Sequence, residues 1–488
     1  MPRYRARAWK ATYVPSRLGR HYLNRLGTGL GEQAYADLRA AGSPKAWLEQ
    51  QLRPESIPEA PEVAEIESWF ADQSESAAVK RARNSGRQKA AWEYARDFGN
   101  LQLLRRAHTR RALQENMTDF WANHLHIAAS ADLAWLHRYD YQSVLRRHAL
   151  GSFEELLVAA STHPAMSLWL DNWRSTRGSI NENQGRELLE LHTVGLVGGY
   201  SEQMVKDSAI LLSGWDVDDK GDWEGRYSPE NHVLGPVSVL GFTHPNADPD
   251  GRAACEAYLR HLARHPATAR TIATKLVLRF VDDTPRPDLV ARLAAVYLAS
   301  GTQIAPVIRA LAASPEFRRS VGAKVRTPHE DLVATIRVLR PRIQRPTSDE
   351  SFAITMAWMH GSIAAYQWPR PDGPPERNDP WCSPTRMVNS FGFHWGMTAG
   401  WWPREGVSYR TPEEFLPPLP MRFDLLVDHL CRTLLGRRST SRLLAMACQA
   451  ADTAPREVID PEHRALSQSW LWVRLVGALL DSPEHMTR

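Results

Sequence analysis

The segment 181–192 holds the side chains best suited to chemistry. Its twelve residues include three carboxylates, three carboxamides, an arginine and a histidine, with leucines between them. On a helix, Asn183, Glu187 and Glu190 lie on one face while the leucines cover another. Two carboxylates in a partly desolvated place tend to raise the pKa of one of them, which supplies an acid and a base. The segment therefore predicts a site for proton transfer or glycoside cleavage at the edge of the core.

Arg186 gives this segment two interpretations. It lies four residues before Glu190, so it either tunes the charge of a catalytic pair or neutralises it. In an arbitrary helix, a salt-bridged surface is the commoner arrangement of arginine and glutamate. The sequence leaves both interpretations open.

Two nearby histidines are the next candidates. His124 and His126 are two residues apart, a spacing that converges on one metal in a strand but diverges on a helix. Because the surrounding pattern is helical, we predict no shared ligand pair. His124 alone is predicted to join Glu187, Glu190 or His192 across a helix pair. Glu190 and His192 lack the Glu-x-x-His spacing of di-iron bundles, so no metal site is assigned.

Other chemical signatures do not occur in the sequence. The stretch 216–227 has a glycine where a calcium loop needs one, but Lys220 and Tyr227 stand at ligand positions, so we reject an EF-hand. No nucleophile elbow, phosphate-binding loop, HExxH motif or dinucleotide fingerprint is found. The cofactor is therefore left unknown.

Composition indicates a globular protein. The 488 residues exceed the usual size of one core, 43% are hydrophobic and 24% are charged, as in ordinary folded domains. A net charge of +5 is too small to predict binding of nucleic acid. The four cysteines form no CxxC pair, and no apolar run is long enough for a bilayer. We predict a cytoplasmic protein without a membrane partner.

Helical spacing dominates the sequence. We predict an all-α fold, a multi-helix array with two irregular loop-rich segments and room for minor β-structure. The irregular segments are 216–250 and the proline- and tryptophan-rich 368–420. Three regions are predicted to pack as one compact unit. They are 1–150, which is helical, 151–340, which carries the acidic segment, and 341–488, which holds the tryptophan-rich loop and the last helices.

Several short motifs together resemble a known family. The most specific runs from Asn181-Glu182-Asn183 to Leu191-His192-Thr193. The others, in order, are 120–124, 198–200, 214–215, 265–269, 275–276, 279–281, 314–317 and 324–328. In this order they resemble the bacterial domain-of-unknown-function family numbered 1800, over nearly the whole chain. The resemblance implies a mostly helical protein and assigns no activity.

These observations predict a set of site residues. The predicted catalytic residues are Glu187, Glu190, His192, His124 and Arg186. The predicted substrate-binding residues are Asn183, Asn123, Trp121 and Tyr200.

The leading functional hypothesis is an enzyme that performs hydrolysis or another proton transfer on a polar, glycan-like substrate. The 18 tryptophans, many of them in the last third, suit stacking on flat ligands as well as core packing. One alternative is a non-catalytic scaffold that binds a protein partner and uses the acidic segment to fix helix packing. A second alternative is a metal-dependent oxidase or hydrolase.

Overall fold

The computed structural model describes residues 8–360, 363–467 and 469–488. These residues are mainly α-helical, so the predicted fold class is confirmed. In the part of the chain so described, no helix combines the length and the apolar character needed to cross a bilayer.

Helices follow one another through the whole chain. The first twelve are α1 (Arg17–Arg25), α2 (Glu32–Ala41), α3 (Pro44–Gln51), α4 (Pro61–Trp69), α5 (Ala77–Ser85), α6 (Ala91–His108), α7 (Ala112–His124), α8 (Arg138–His148), α9 (Phe153–Ser161), α10 (Pro164–Trp169), α11 (Asn183–Glu187) and α12 (Glu202–Leu212). The later ones are α13 (Arg252–Arg264), α14 (Pro266–Phe280), α15 (Pro287–Ala299), α16 (Ile304–Ala313), α17 (Pro315–Arg319), α18 (Pro328–Leu339), α19 (Phe352–Thr355), α20 (Pro384–Ala399), α21 (Phe423–Leu435), α22 (Ser441–Ala451), α23 (Arg464–Ser467), α24 (Ser469–Leu480) and α25 (Pro483–Met486).

The β-structure consists of short antiparallel pairs. They are β1 (Trp215–Val217) with β2 (Gly225–Tyr227), β3 (Val237–Val239) with β4 (Phe242–His244), β5 (Arg342–Ile343) with β6 (Val407–Ser408), and β7 (Met421–Arg422) with β8 (Val458–Ile459). The first two pairs lie in the predicted irregular segment 216–250, except that β1 begins one residue before it, at Trp215. This agrees with the minor β-structure predicted there.

The prediction of an irregular segment over 368–420 is too broad, because α20 lies inside it. This helix starts with Ser383, whose side chain accepts a hydrogen bond from the Arg386 backbone N–H, and with Pro384 in its first turn. Its glycines and aromatic residues have low helix propensity. Tertiary packing overrides that propensity, since Phe393 and Met397 are buried where α20 meets α18 and α24.

Helix α18 is buried on nearly all sides. Its start is a capping box, in which Thr327 and Glu330 satisfy each other's backbone N–H groups,. A helix buried all round can present polar side chains to two separate places in the core. His329 and Asp331 are two polar residues of this kind on α18.

One cluster of buried apolar side chains extends from Tyr22 to Leu480. It includes residues from all three predicted regions. The boundaries near residues 150 and 340 stay a prediction.

Candidate functional site

The acidic segment begins with a tightly packed helix. Helix α11 packs against α12, and a Cβ atom at Gly185 would lie 2.8 Å from the Ala209 nitrogen and 2.9 Å from the Val205 oxygen. Beside it, the buried Gln184 side chain donates a hydrogen bond to the Ser161 carbonyl at 2.6 Å. Packing thus accounts for these two residues of the segment.

We expect Gly185→Ala to destabilise the protein by about 1–3 kcal/mol. The added methyl group would clash with backbone atoms of α12, which cannot change rotamer as a side chain can. Thermal or urea unfolding measures this. The matched control is Gly392→Ala on α20, where a Cβ meets nothing within 4 Å and alanine should be neutral or slightly stabilising. Equal stability of the two variants would contradict the close packing of α11 on α12.

The segment continues as a π-helical turn, Leu188–His192. Such turns are rare and occur often at functional sites. Here the turn presents two carbonyl groups to buried donors. The Leu191 carbonyl lies 3.3 Å from the Lys275 ammonium, and the His192 carbonyl lies 3.0 Å from Nε2 of His124.

Lys275 and His124 form a defined hydrogen-bonded pair. The Lys275 Nζ lies 2.9 Å from Nδ1 of His124. An ammonium group only donates, so Nδ1 accepts and the imidazole proton sits on Nε2, which donates to the His192 carbonyl. Burial lowers the pKa of Lys275 to about 8. Burial and the Lys275 charge hold the pKa of His124 well below its usual value and lower that of His192 to about 3, so both imidazoles are neutral at pH 7.

Glu187, Glu190 and Tyr200 form a second group nearby. All three side chains are half-buried. Burial and the neighbouring Glu190 raise the pKa of Glu187, and burial and Glu190 raise the pKa of Tyr200. The structure therefore brings two predicted carboxylates and one predicted binding residue close enough to interact electrostatically.

Three other predicted residues form their direct contacts elsewhere. Arg186 forms a two-point ion pair with the exposed Glu202, at 2.9 and 2.7 Å, and its charge opposes the rise in the pKa of Glu187. Asn183 is exposed and donates weakly, at 3.4 Å, to the Leu170 carbonyl. Trp121 is fully buried and donates to the Ala149 carbonyl at 2.9 Å. Their proposed roles in the site stay predictions.

A partly open cavity of about 240 Å³ lies between α6, α7, α14, α18 and the segment 363–381. The predicted site residue that lines it is Asn123. The Asn123 amide donates to the Pro374 carbonyl at 3.0 Å and to the Glu376 carboxylate at 2.8 Å. Asn123 thereby attaches the irregular segment to α7.

Paired charges line one side of this cavity. The Arg279 guanidinium donates to Asp119 at 2.7 Å and contacts both oxygens of Glu376 at 3.3 Å. Arg106 donates to Asp119 at 3.0 Å, as the Tyr366 hydroxyl does at 3.1 Å. The cavity thus has guanidinium and carboxylate groups along one wall, held in place by their ion pairs.

His329 lines the same cavity with unused hydrogen-bonding capacity. Its buried Nε2 has no hydrogen-bond partner among the described residues. Burial lowers the pKa of His329 to about 4, so the imidazole is neutral at pH 7. A neutral imidazole with a free nitrogen can accept or donate a proton to a bound molecule.

Sequence reasoning did not predict several residues of these groups, among them Lys275, Arg279, His329 and Glu376. Lys275 and Arg279 occur in motifs that carry the family resemblance, which is the one signal that marked them. His329 directly follows another such motif, and Glu376 lies in an irregular segment without any periodicity.

This fold and cavity define a mainly helical protein with a cavity lined by apolar and charged side chains. The chain belongs to the family described as "Protein of unknown function (DUF1800)", which matches residues 21–487. No curated protein and no solved structure matches the chain.

Proposed function

We propose that the protein is an enzyme that binds a small polar molecule in the cavity and catalyses its hydrolysis or another proton transfer. The observation that carries this proposal is the unpartnered Nε2 of His329 in a cavity that also holds carboxylates and guanidinium groups. Water or a bound ligand can satisfy a buried polar atom of this kind, and Nε2 of His329 belongs to a residue that lines the cavity,. Trp368 and Trp381 also line the cavity, and their flat faces suit a sugar ring.

In this proposal each cavity residue has one role. His329 takes the proton from a substrate hydroxyl group or from water. Glu376, oriented by Asn123 and Arg279, accepts a hydrogen bond from the substrate. Arg106 and Arg279 line the cavity and each retains an unpartnered Nε. They stabilise negative charge that develops in the transition state.

Glu376→Gln tests this site against the acidic pair Glu187 and Glu190. Turnover is first sought with p-nitrophenyl esters, glycosides and phosphates. We expect Glu376→Gln to lower kcat/KM by about 10- to 100-fold, because a hydrogen bond to a charged group contributes about 1.5–3 kcal/mol. The matched control, Glu187→Gln, should leave kcat/KM nearly unchanged. The reverse result would move the site to the acidic pair.

A scaffold that binds a protein partner is the second candidate. Leu196 and Val197, which follow the π-helical turn after three intervening residues, expose 76% and 95% of their surface. Apolar side chains exposed together often mark interaction sites. If the protein is a scaffold, none of the p-nitrophenyl esters, glycosides and phosphates should be turned over or raise Tm. Neither Glu376→Gln nor Glu187→Gln should then change any activity.

A further inference from the structure

A second polar cluster lies in the core beyond α18. Asp331 of α18, His394 of α20 and His485 of α25 are all buried, and their nearest ligand atoms lie within 4.8 Å of one another. An Asp331 oxygen is 3.1 Å from Nε2 of His394 and 3.4 Å from Nε2 of His485. These three residues, far apart in sequence, thus direct one oxygen and two nitrogens to one point.

We propose that Asp331, His394 and His485 bind a first-row divalent cation, with Zn²⁺ as the best fit. Two imidazole nitrogens and one carboxylate oxygen are a common zinc ligand set, and bonds of about 2.1 Å separate tetrahedral ligand atoms by about 3.4 Å. The two separations from Asp331, 3.1 and 3.4 Å, are close to this value. No sequence motif marks the site, because each ligand comes from a different helix.

Two of the three ligands have hydrogen-bond partners that orient them, and the buried Arg386 guanidinium lies 3.5 Å from one Asp331 oxygen. Nδ1 of His394 lies 2.7 Å from an Asp481 oxygen, which is the carboxylate–histidine arrangement that orients an imidazole toward a metal. The second Asp331 oxygen accepts hydrogen bonds from the Ser390 hydroxyl at 2.8 Å and from His360 at 3.1 Å. Both ligands are therefore held in place by groups outside the ligand set.

Nε2 of His485 also lies 3.0 Å from the Thr335 hydroxyl group. This hydroxyl group would remain beside the bound ion.

The site has a structural role. Its ligands are fully enclosed and join α18, α20 and α25, which lie up to about 150 residues apart in the chain,. Because α18 also carries His329, the ion would hold one wall of the cavity. This inference does not depend on the proposed enzyme activity, since a scaffold would use the same ion.

The test is elemental analysis of untagged full-length protein expressed with added zinc and then dialysed. We expect stoichiometric metal in the wild type and at least a tenfold lower content in His394→Gln. The matched control is His360→Gln, which also removes a buried imidazole bonded to Asp331 but not a ligand, and it should retain the metal.

A second measurement avoids the variants, in case His394→Gln does not fold. We expect a chelator to lower the Tm of the wild type, Zn²⁺ to restore it, and Co²⁺ to give the visible absorption of a tetrahedral site. Metal-free wild-type protein, with a Tm that neither chelator nor Zn²⁺ changes, would overturn the proposal and leave a hydrogen-bonded histidine–carboxylate network. Equal metal loss in both variants would overturn the ligand assignment.

Discussion

His329→Gln is expected to lower kcat by about 10²- to 10⁴-fold, the usual contribution of a general acid or base. Glutamine has a similar size but cannot take up a proton. Because Nε2 of His329 makes no hydrogen bond within the described protein, Tm should change little. Steady-state kinetics on a substrate found with the p-nitrophenyl panel, together with a melting curve, measures both quantities.

The pH profile gives an independent readout. Since burial lowers the pKa of His329 to about 4, the wild-type rate should be retained above this pH and lost as the pH falls through it. The residual rate of His329→Gln should lack this dependence. The matched control is His108→Gln, because Nε2 of His108 is also buried without a partner but lies outside the cavity lining. A comparable rate loss in His108→Gln would contradict the role of His329.

Arg279→Met is expected to destabilise the protein by about 3–5 kcal/mol, the usual cost of removing one partner from a buried ion pair. The Arg279 side chain is 4% exposed and lies within 3.3 Å of carboxylate oxygens of Asp119, Glu330 and Glu376. Asp119 and Glu330 keep other arginine partners, Arg106 and Arg488. Glu376 would lose its cation, which makes its burial unfavourable. Urea unfolding measures the change.

Arg186→Met is the matched control for this prediction. Arg186 also has carboxylate partners, Glu202 and Glu182, but its side chain is 36% exposed. Exposed ion pairs contribute about 0–1 kcal/mol, so this variant should be nearly as stable as the wild type. A similar loss of stability in both variants would contradict the prediction that burial makes the Arg279 ion pairs more important for stability than the exposed Arg186 pairs.

Part of the candidate site around the acidic segment could be predicted from the sequence. The closeness of Glu187 and Glu190 follows from periodicity, because both lie in one helical segment. His192 was one of three partners that the sequence left open for His124, and the catalytic roles of these residues stay predictions. The contact of His124 with Lys275 was not predicted, because Lys275 lies 151 residues further along the chain. The cavity could not be predicted from the sequence either, because the irregular segment 363–381 that forms one of its walls has no periodicity from which a structure can be inferred.

The sequence by itself determined the helical class, the minor β-structure of 216–250 and the position of the acidic segment at the edge of the core. Spacing, caps and composition act over a few residues, so they can be recognised locally. Only the tertiary structure decided which polar groups meet, such as His329 with the Arg279 network and Asp331 with His394 and His485. The physical reason is that burial brings together distant residues whose charges and hydrogen bonds must be satisfied by one another.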